Sequence, residues 1–131
     1  MFTKPSKYAI KAICLLVDRS SETHKLLVKD IARETGVPSP FLSKILQTLS
    51  RRGFISSHKG RHGGFYLSAD QREVLLLDII LELEGKDHFQ HCIMNFENCN
   101  LDHPCPVHEL IAPAKVAFRK SLEGIRLKDL G

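Results

Sequence analysis

A chain of 131 residues with 43% hydrophobic content is sized for one domain, or one domain and an arm, with ample material for a core. It carries no run of about eighteen apolar residues, which excludes a membrane-spanning helix. The net charge of +4 is unevenly spread, with 12 Lys/Arg against 4 Asp/Glu in residues 1–67 and 7 against 11 in residues 68–131, so the front half suits contact with phosphates and the back half argues against nucleic acid wrapping the whole molecule.

The opening MFTKPSKYAIK has no long apolar stretch leading to a small-residue cleavage site, so a cytoplasmic protein with reduced thiols is expected. Residues 6–19 read as a strongly apolar helix through Tyr8, Ile10, Ala12, Ile13, Leu15, Leu16 and Val17, ended by Ser20, Ser21 and Thr23. Cys14, inside AICLLV, reads as a small buried hydrophobe. KDIARET (29–35) is a short helix closed by Gly36. After Val37 and Pro38, Ser39 reads as an N-cap and Pro40 as the first helical residue of a second helix. There Leu42, Ile45, Leu46 and Leu49 make a buried stripe and leave Ser43, Lys44, Gln47 and Thr48 on the other face.

Two helices joined by a tight Gly-containing turn are either a helix-turn-helix or a plain pair of core helices. The next residues favour the first. Phe54, Ile55 and Ser56 read as a strand, HKGRHGG as a glycine-rich basic turn, and Phe65, Tyr66 and Leu67 as the return strand. Such a hairpin directly after a helix-turn-helix is a wing, with Lys59, Arg61 and His62 at its tip. A narrow minor groove attracts an inserted Arg, while Ser, Lys and Gln on the second helix reach base edges or phosphates. The glycines do not make a nucleotide loop, because no strand–GxGxxG–helix arrangement or GK[ST] ending accompanies them. Asp70 and Glu73 resemble a capping pair for a helix over 74–84 that is apolar nearly all round and ends at Gly85.

Residues 91–108 read HCIMNFENCNLDHPCPVH. Asn, Asp and Pro make this a loop, and a polar loop has no core in which to bury Cys92, Cys99 and Cys105. Thiolates gripping a metal would supply the energy that ordering the loop requires. The cysteines are separated by six and five residues, and His108 stands three positions beyond Cys105. Structural zinc prefers closer pairs; the wider gaps suit an iron–sulfur cluster, with structural or free thiols as the plain alternative. Histidines 88, 91, 103 and 108 read as ligand candidates rather than acid–base groups, since no paired carboxylates, activated Ser or nucleotide loop is evident. Neither an enzyme nor a small-molecule substrate is expected. Residues 107–125 form a helical arm striped by Leu110, Ile111, Ala114, Ala117, Phe118, Leu122 and Ile125. The arm either builds a two-fold dimer or folds back on its own domain. Pro113 is expected to kink or restart it, at a cost of about 3 kcal/mol in a helix interior.

Taken together, KYAIKAI, IARETGVPSPFLSKILQTLSRRGFI, KGRHGGFYLS, LLLDIILELEG and the three cysteines before PVHEL resemble the Rrf2 family of bacterial winged-helix regulators, over nearly the whole chain. The resemblance implies a mainly α fold with a small β-hairpin: a winged helix-turn-helix domain over 1–85, a cysteine-rich cluster loop over 86–106, and a dimerisation helix and tail over 107–131. It implies a homodimer on a double-stranded DNA operator, with Ser39, Ser43 and Lys44 facing the major groove and Lys59 and Arg61 at the wing tip; Gln47 joins the reading set by its face of the helix. It also implies a cluster on Cys92, Cys99, Cys105 and His108, with 2Fe–2S favoured over 4Fe–4S. Ser6, Lys7 and Tyr8 offer no carboxylate of the kind that completes a 4Fe–4S site in the nitric-oxide branch. The expected function is transcriptional regulation in which the cluster, sensing redox state, iron or nitric oxide, sets operator affinity. The alternative is a cluster-free winged-helix regulator with thiol-switch or zinc-binding cysteines.

Overall fold

The computed structural model describes residues 2–90, 92, 94, 99 and 102–131. Its core begins with α1 (Lys4–Arg19), where Ala9, Ala12, Ile13 and Leu16 recur at the spacing of one helical face and are fully buried. The helix starts two residues earlier than expected because Pro5 is accommodated in its first turn, where a missing N–H costs nothing. Helix α2 (Val28–Thr35) contributes Ile31, and α3 (Ser39–Arg51) contributes Leu42, Ile45, Leu46 and Leu49. Gly36 turns the chain between them at φ 76°. The expected cap at Ser39 is corrected: Pro38 holds the N-cap place, its carbonyl accepting the Leu42 N–H at 3.0 Å, and Ser39 makes no capping bond. Pro40 lies in the first turn and removes one of the donors a cap would serve.

Helix α3 closes with a Schellman motif. Phe54 N–H reaches the Leu49 carbonyl and Gly53 N–H the Ser50 carbonyl, both at 3.0 Å, with Gly53 at φ 82°. These bonds commit the backbone at 53 and 54, so strand β1 (Ser56–His58) starts two residues later than expected. It pairs antiparallel with β2 (Gly64–Tyr66), Ser57 opposite Phe65, while Ile55 and Leu67 flank the hairpin and point into the core. The wing is anchored to the body: Leu26 and Phe65 exchange backbone bonds of 2.9 and 2.8 Å, and Leu67 N–H donates to the buried Ser20 Oγ at 3.1 Å. A Cβ on Gly64 would stand 2.7 Å from the Leu26 carbonyl oxygen, and its φ is 144°. Gly64→Ala is therefore expected to cost about 1–3 kcal/mol in urea unfolding, whereas Gly124→Ala, which meets nothing within 4 Å, leaves the midpoint in place.

The expected helix over 74–84 is also corrected. Residues Gln71–Glu73 form a 3-10 turn, Asp70 makes no capping bond, and Val74 and Leu75 are extended. They are recruited by the C-terminal tail: Leu76 N–H donates to the Ile125 carbonyl and Leu127 N–H to the Val74 carbonyl, each at 2.9 Å. Helix α4 (Leu76–Glu84) starts beyond that pairing and buries Leu76, Leu77, Ile79 and Ile80.

Helix α5 (His108–Glu123) runs as one α-helix through Pro113, so the expected restart does not occur. Glu109, whose carbonyl loses its helical donor to that proline, is exposed and open to water. The helix packs on α4, and Phe118 meets Phe2 edge-on at 5.1 Å. The tail then returns: the 3-10 turn Leu127–Leu130 seats a fully buried Leu127 against α1. The architecture is thus mainly α with one hairpin, a winged helix-turn-helix carrying a long C-terminal helix. Among the described residues no helix is long and apolar enough to cross a membrane.

Candidate nucleic-acid interface and metal centre

Helix α3 buries one face and presents the other. Ser39, Lys44 and Gln47 are exposed and Ser43 is half-buried, all on the side away from the stripe of Leu42, Ile45, Leu46 and Leu49. Gln47 Nε2 donates to Ser43 Oγ at 3.3 Å, which fixes both side chains on that surface. The wing follows directly, its first strand tied to the end of α3 by Ser50 Oγ and Ser57 Oγ at 2.8 Å. Lys59, Arg61 and His62 stand exposed at its tip. Elsewhere in the front half Arg19 pairs with Glu34, Arg33 with Asp30 and Arg52 with Glu82, while Arg51 and several lysines form no ion pair among the described residues. Lys44, Lys59 and Arg61 make no ion pair among the described residues, so their charge is available to a phosphate. Phe41, to which the sequence assigned no place, is 62% exposed on the same helix and tilted against Tyr8 at 6.5 Å. Its position outside the α3 stripe was the available signal.

The second site lies where the loop enters α5. The His108 N–H donates to the Cys105 carbonyl at 3.0 Å, so the Cys-x-x-His spacing is the turn that starts the helix. The Sγ atoms of Cys92, Cys99 and Cys105 all lie within 4.8 Å of one another, with Cys92 and Cys105 at 3.6 Å. Cys99 Sγ stands 3.9 Å from His108 Nδ1 and accepts the Cys105 N–H at 3.3 Å. Donors bound to one metal at about 2.3 Å in a tetrahedron stand about 3.8 Å apart, so both close pairs match atoms that share a metal, and soft thiolates select zinc or iron–sulfur centres. The Cys105 N–H draws the Cys99 thiol's pKa down, but desolvation and the neighbouring thiols of Cys105 and Cys92 outweigh it, and the net shift is upward. Loading a metal there displaces a proton and becomes easier as pH rises. A cleft of about 560 Å³ opens on the site, lined by Phe89, Cys92, Cys99, His108, Ala112 and Val116 among others.

The other candidate ligands fare differently. His88 Nδ1 lies 4.0 Å from Glu84 Oε2, and His103 is exposed. His91 and residues 93, 95–98, 100 and 101 of the expected loop lie outside the described residues. Cys14, expected to be buried, is only half-buried in α1, where desolvation and the nearby Asp18 raise its pKa.

A recognition helix and a wing with unpaired cations, joined to a thiol centre and a long C-terminal helix, define a winged-helix transcriptional regulator. The chain belongs to the Rrf2 family, described as an iron-dependent transcriptional regulator, which matches residues 2–131. It is 32% identical over 133 residues to a protein of Aquifex aeolicus (strain VF5) classed by name as an HTH-type transcriptional regulator, covering 99% of this chain and 90% of that one. Among solved structures it is similar to CymR of B. subtilis, described as the global cysteine regulator, with a TM-score of 0.74 at 22% identity over 99% of this chain and 95% of that one. It is also similar to IscR of T. potens, with a TM-score of 0.71 at 23% identity over 99% and 85%. At those identities the two structures speak for the fold. Members of the family are transcriptional regulators rather than enzymes, and DNA is the partner that this implies.

Proposed function

We propose that this regulator binds its operator as a homodimer and that an iron–sulfur cluster on Cys92, Cys99, Cys105 and His108, 2Fe–2S in preference to 4Fe–4S, sets its affinity. The observation that carries the reading is the gathering of three sulfurs within 4.8 Å, with the His108 imidazole 3.9 Å from one of them. The iron-dependent description of the family supports it. When bound, the cluster would supply a crosslink sensitive to redox state, iron or nitric oxide. The residues around it do the rest. Cys92 and Cys99 fix the loop, Cys105 and His108 fix the start of α5, and residues 86–106 thereby join the reading head (1–85) to the dimerisation helix and tail (107–131). Gripping or releasing that junction moves the two reading heads relative to each other, a local change with a global readout.

On DNA, Ser39, Ser43, Lys44 and Gln47 enter the major groove while Lys59 and Arg61 reach the minor groove from the wing. Lys44→Ala and Arg61→Ala are each expected to lower the slope of log affinity against log salt by about 2, one phosphate contact being lost in each subunit of the dimer. Fluorescence anisotropy on a duplex selected from a random library by the wild-type protein measures this. A slope unchanged in both variants would place those cations off the DNA.

Protein purified without oxygen tests the cluster: visible absorbance, together with iron and acid-labile sulfide, is expected. A colourless sample favours the second reading, a cluster-free thiol switch or zinc site. The observation in favour of a switch is the 3.6 Å between Cys92 and Cys105 Sγ, a small movement from the roughly 2.05 Å of a disulfide.

A further inference from the structure

Glu84 is the last residue of α4, a poor place for a carboxylate because a helix C-terminus carries partial negative charge. Its side chain is nevertheless only 7% exposed. The donors that hold it come from far away in the chain. Thr3 Oγ1 and Ser6 Oγ both donate to Glu84 Oε1, while His88 Nδ1 lies 4.0 Å from Oε2. Thr3 is the N-cap residue of α1, and Ser6, fully buried, belongs to its first turn. That turn contains no acidic residue of its own. Glu84 therefore stands in for one, placing a carboxylate where the positive end of the α1 dipole favours it. One side chain joins three elements: the start of α1, the end of α4, and the 3-10 turn His88–Gln90 that leads to Cys92.

The far side of that junction reaches the reading head. Tyr8, one turn along α1, meets Phe41 of α3 at 6.5 Å, and Lys4, Tyr8, Phe41 and Lys44 line one groove. We propose that Glu84 is the positioning residue that couples the cysteine site to the recognition helix, by fixing the first turn of α1 to the segment entering the cluster loop. This rests on cluster control of DNA binding as proposed above. Ordering the loop holds His88 and Glu84 in register with Thr3 and Ser6, and α1 then holds Phe41 and Lys44. Releasing the loop frees the clasp.

The test compares cluster-loaded protein with protein stripped anaerobically by a chelator, each titrated on a library-selected duplex. Wild-type protein is expected to show a loaded-to-stripped affinity ratio of about tenfold or more, the ordinary size of such coupling. Glu84→Ala is expected to bring the ratio to within about twofold of unity, with absorbance per protein retained. Glu84→Gln, which keeps the acceptor oxygen, is expected to restore part of it. Hydrogen exchange on wild-type protein gives a second readout, with amides of residues 6–8 slowing on cluster loading. A Glu84→Ala ratio equal to wild type would overturn the clasp, as would loss of the cluster itself in that variant or equal exchange in both wild-type states. A wild-type ratio near unity would instead overturn the cluster control on which it rests.

Discussion

Cys99→Ala protein purified without oxygen is expected to be colourless and to bind its selected duplex with one affinity, whatever iron and sulfide are supplied. Cys99 is the centre of the donor set: its sulfur accepts the Cys105 N–H, stands beside His108, and lies within 4.8 Å of both other sulfurs. Removing it leaves two thiols 3.6 Å apart and an imidazole with no sulfur between them. Metal binding is the ordering energy of such a loop, so losing a ligand loses the ordering as well as the colour. The reading head survives, because the core runs through Ile13, Leu46, Ile55 and Ile80 and does not include the thiols. Circular dichroism should therefore match wild type. Cys14→Ala serves as the control, because that thiol is half-buried in α1; it is expected to leave the absorbance unchanged.

A double variant, Leu110→Glu with Ala117→Glu, is expected to make the protein monomeric and to weaken operator binding by about 100-fold or more, since two linked reading heads gain about that much over one. In the isolated chain Leu110 is 76% and Val116 55% exposed, and Pro113, Ala114 and Ala117 lie exposed on the same helix. Apolar groups in that state gain by burial against a second copy, at about 25 cal/mol per Å². The small side chains let a second helix approach closely. Analytical ultracentrifugation gives the oligomeric state, and a circular dichroism spectrum matching wild type would show that the variants act on assembly rather than on the fold, since losing a partner subunit lowers the melting temperature by mass action alone. Dimers that persist, with affinity intact, would remove α5 from the interface.

Much of this was legible in the order of residues. The stripes Ala9–Ala12–Ile13–Leu16 and Leu42–Ile45–Leu46–Leu49 carry a helical period that any solvent-facing helix on a core must show. Gly36 marked the turn, and Lys59 and Arg61 sit at the tip where a glycine-rich basic hairpin places them. What was not legible depends on distant partners. Val74 and Leu75 have helical neighbours but pair with Arg126 and Leu127 of the tail, so α4 starts late. The strand boundary shifts because the Leu49 and Ser50 carbonyls claim the amides at 54 and 53. Four histidines looked alike as ligands in sequence, yet His108 lies beside a thiol while His88 lies beside a carboxylate. Nothing near Glu84 in the chain announced Thr3 and Ser6, which stand about eighty residues before it.

The most direct measurement is an anaerobic anisotropy titration of one selected duplex with wild-type protein, fully loaded and then fully stripped of iron, at fixed salt. Affinities differing by about tenfold or more, converging when Cys99 is replaced, are expected. Equal affinities for the loaded and stripped protein, with the iron content verified in each, would contradict cluster control of operator binding.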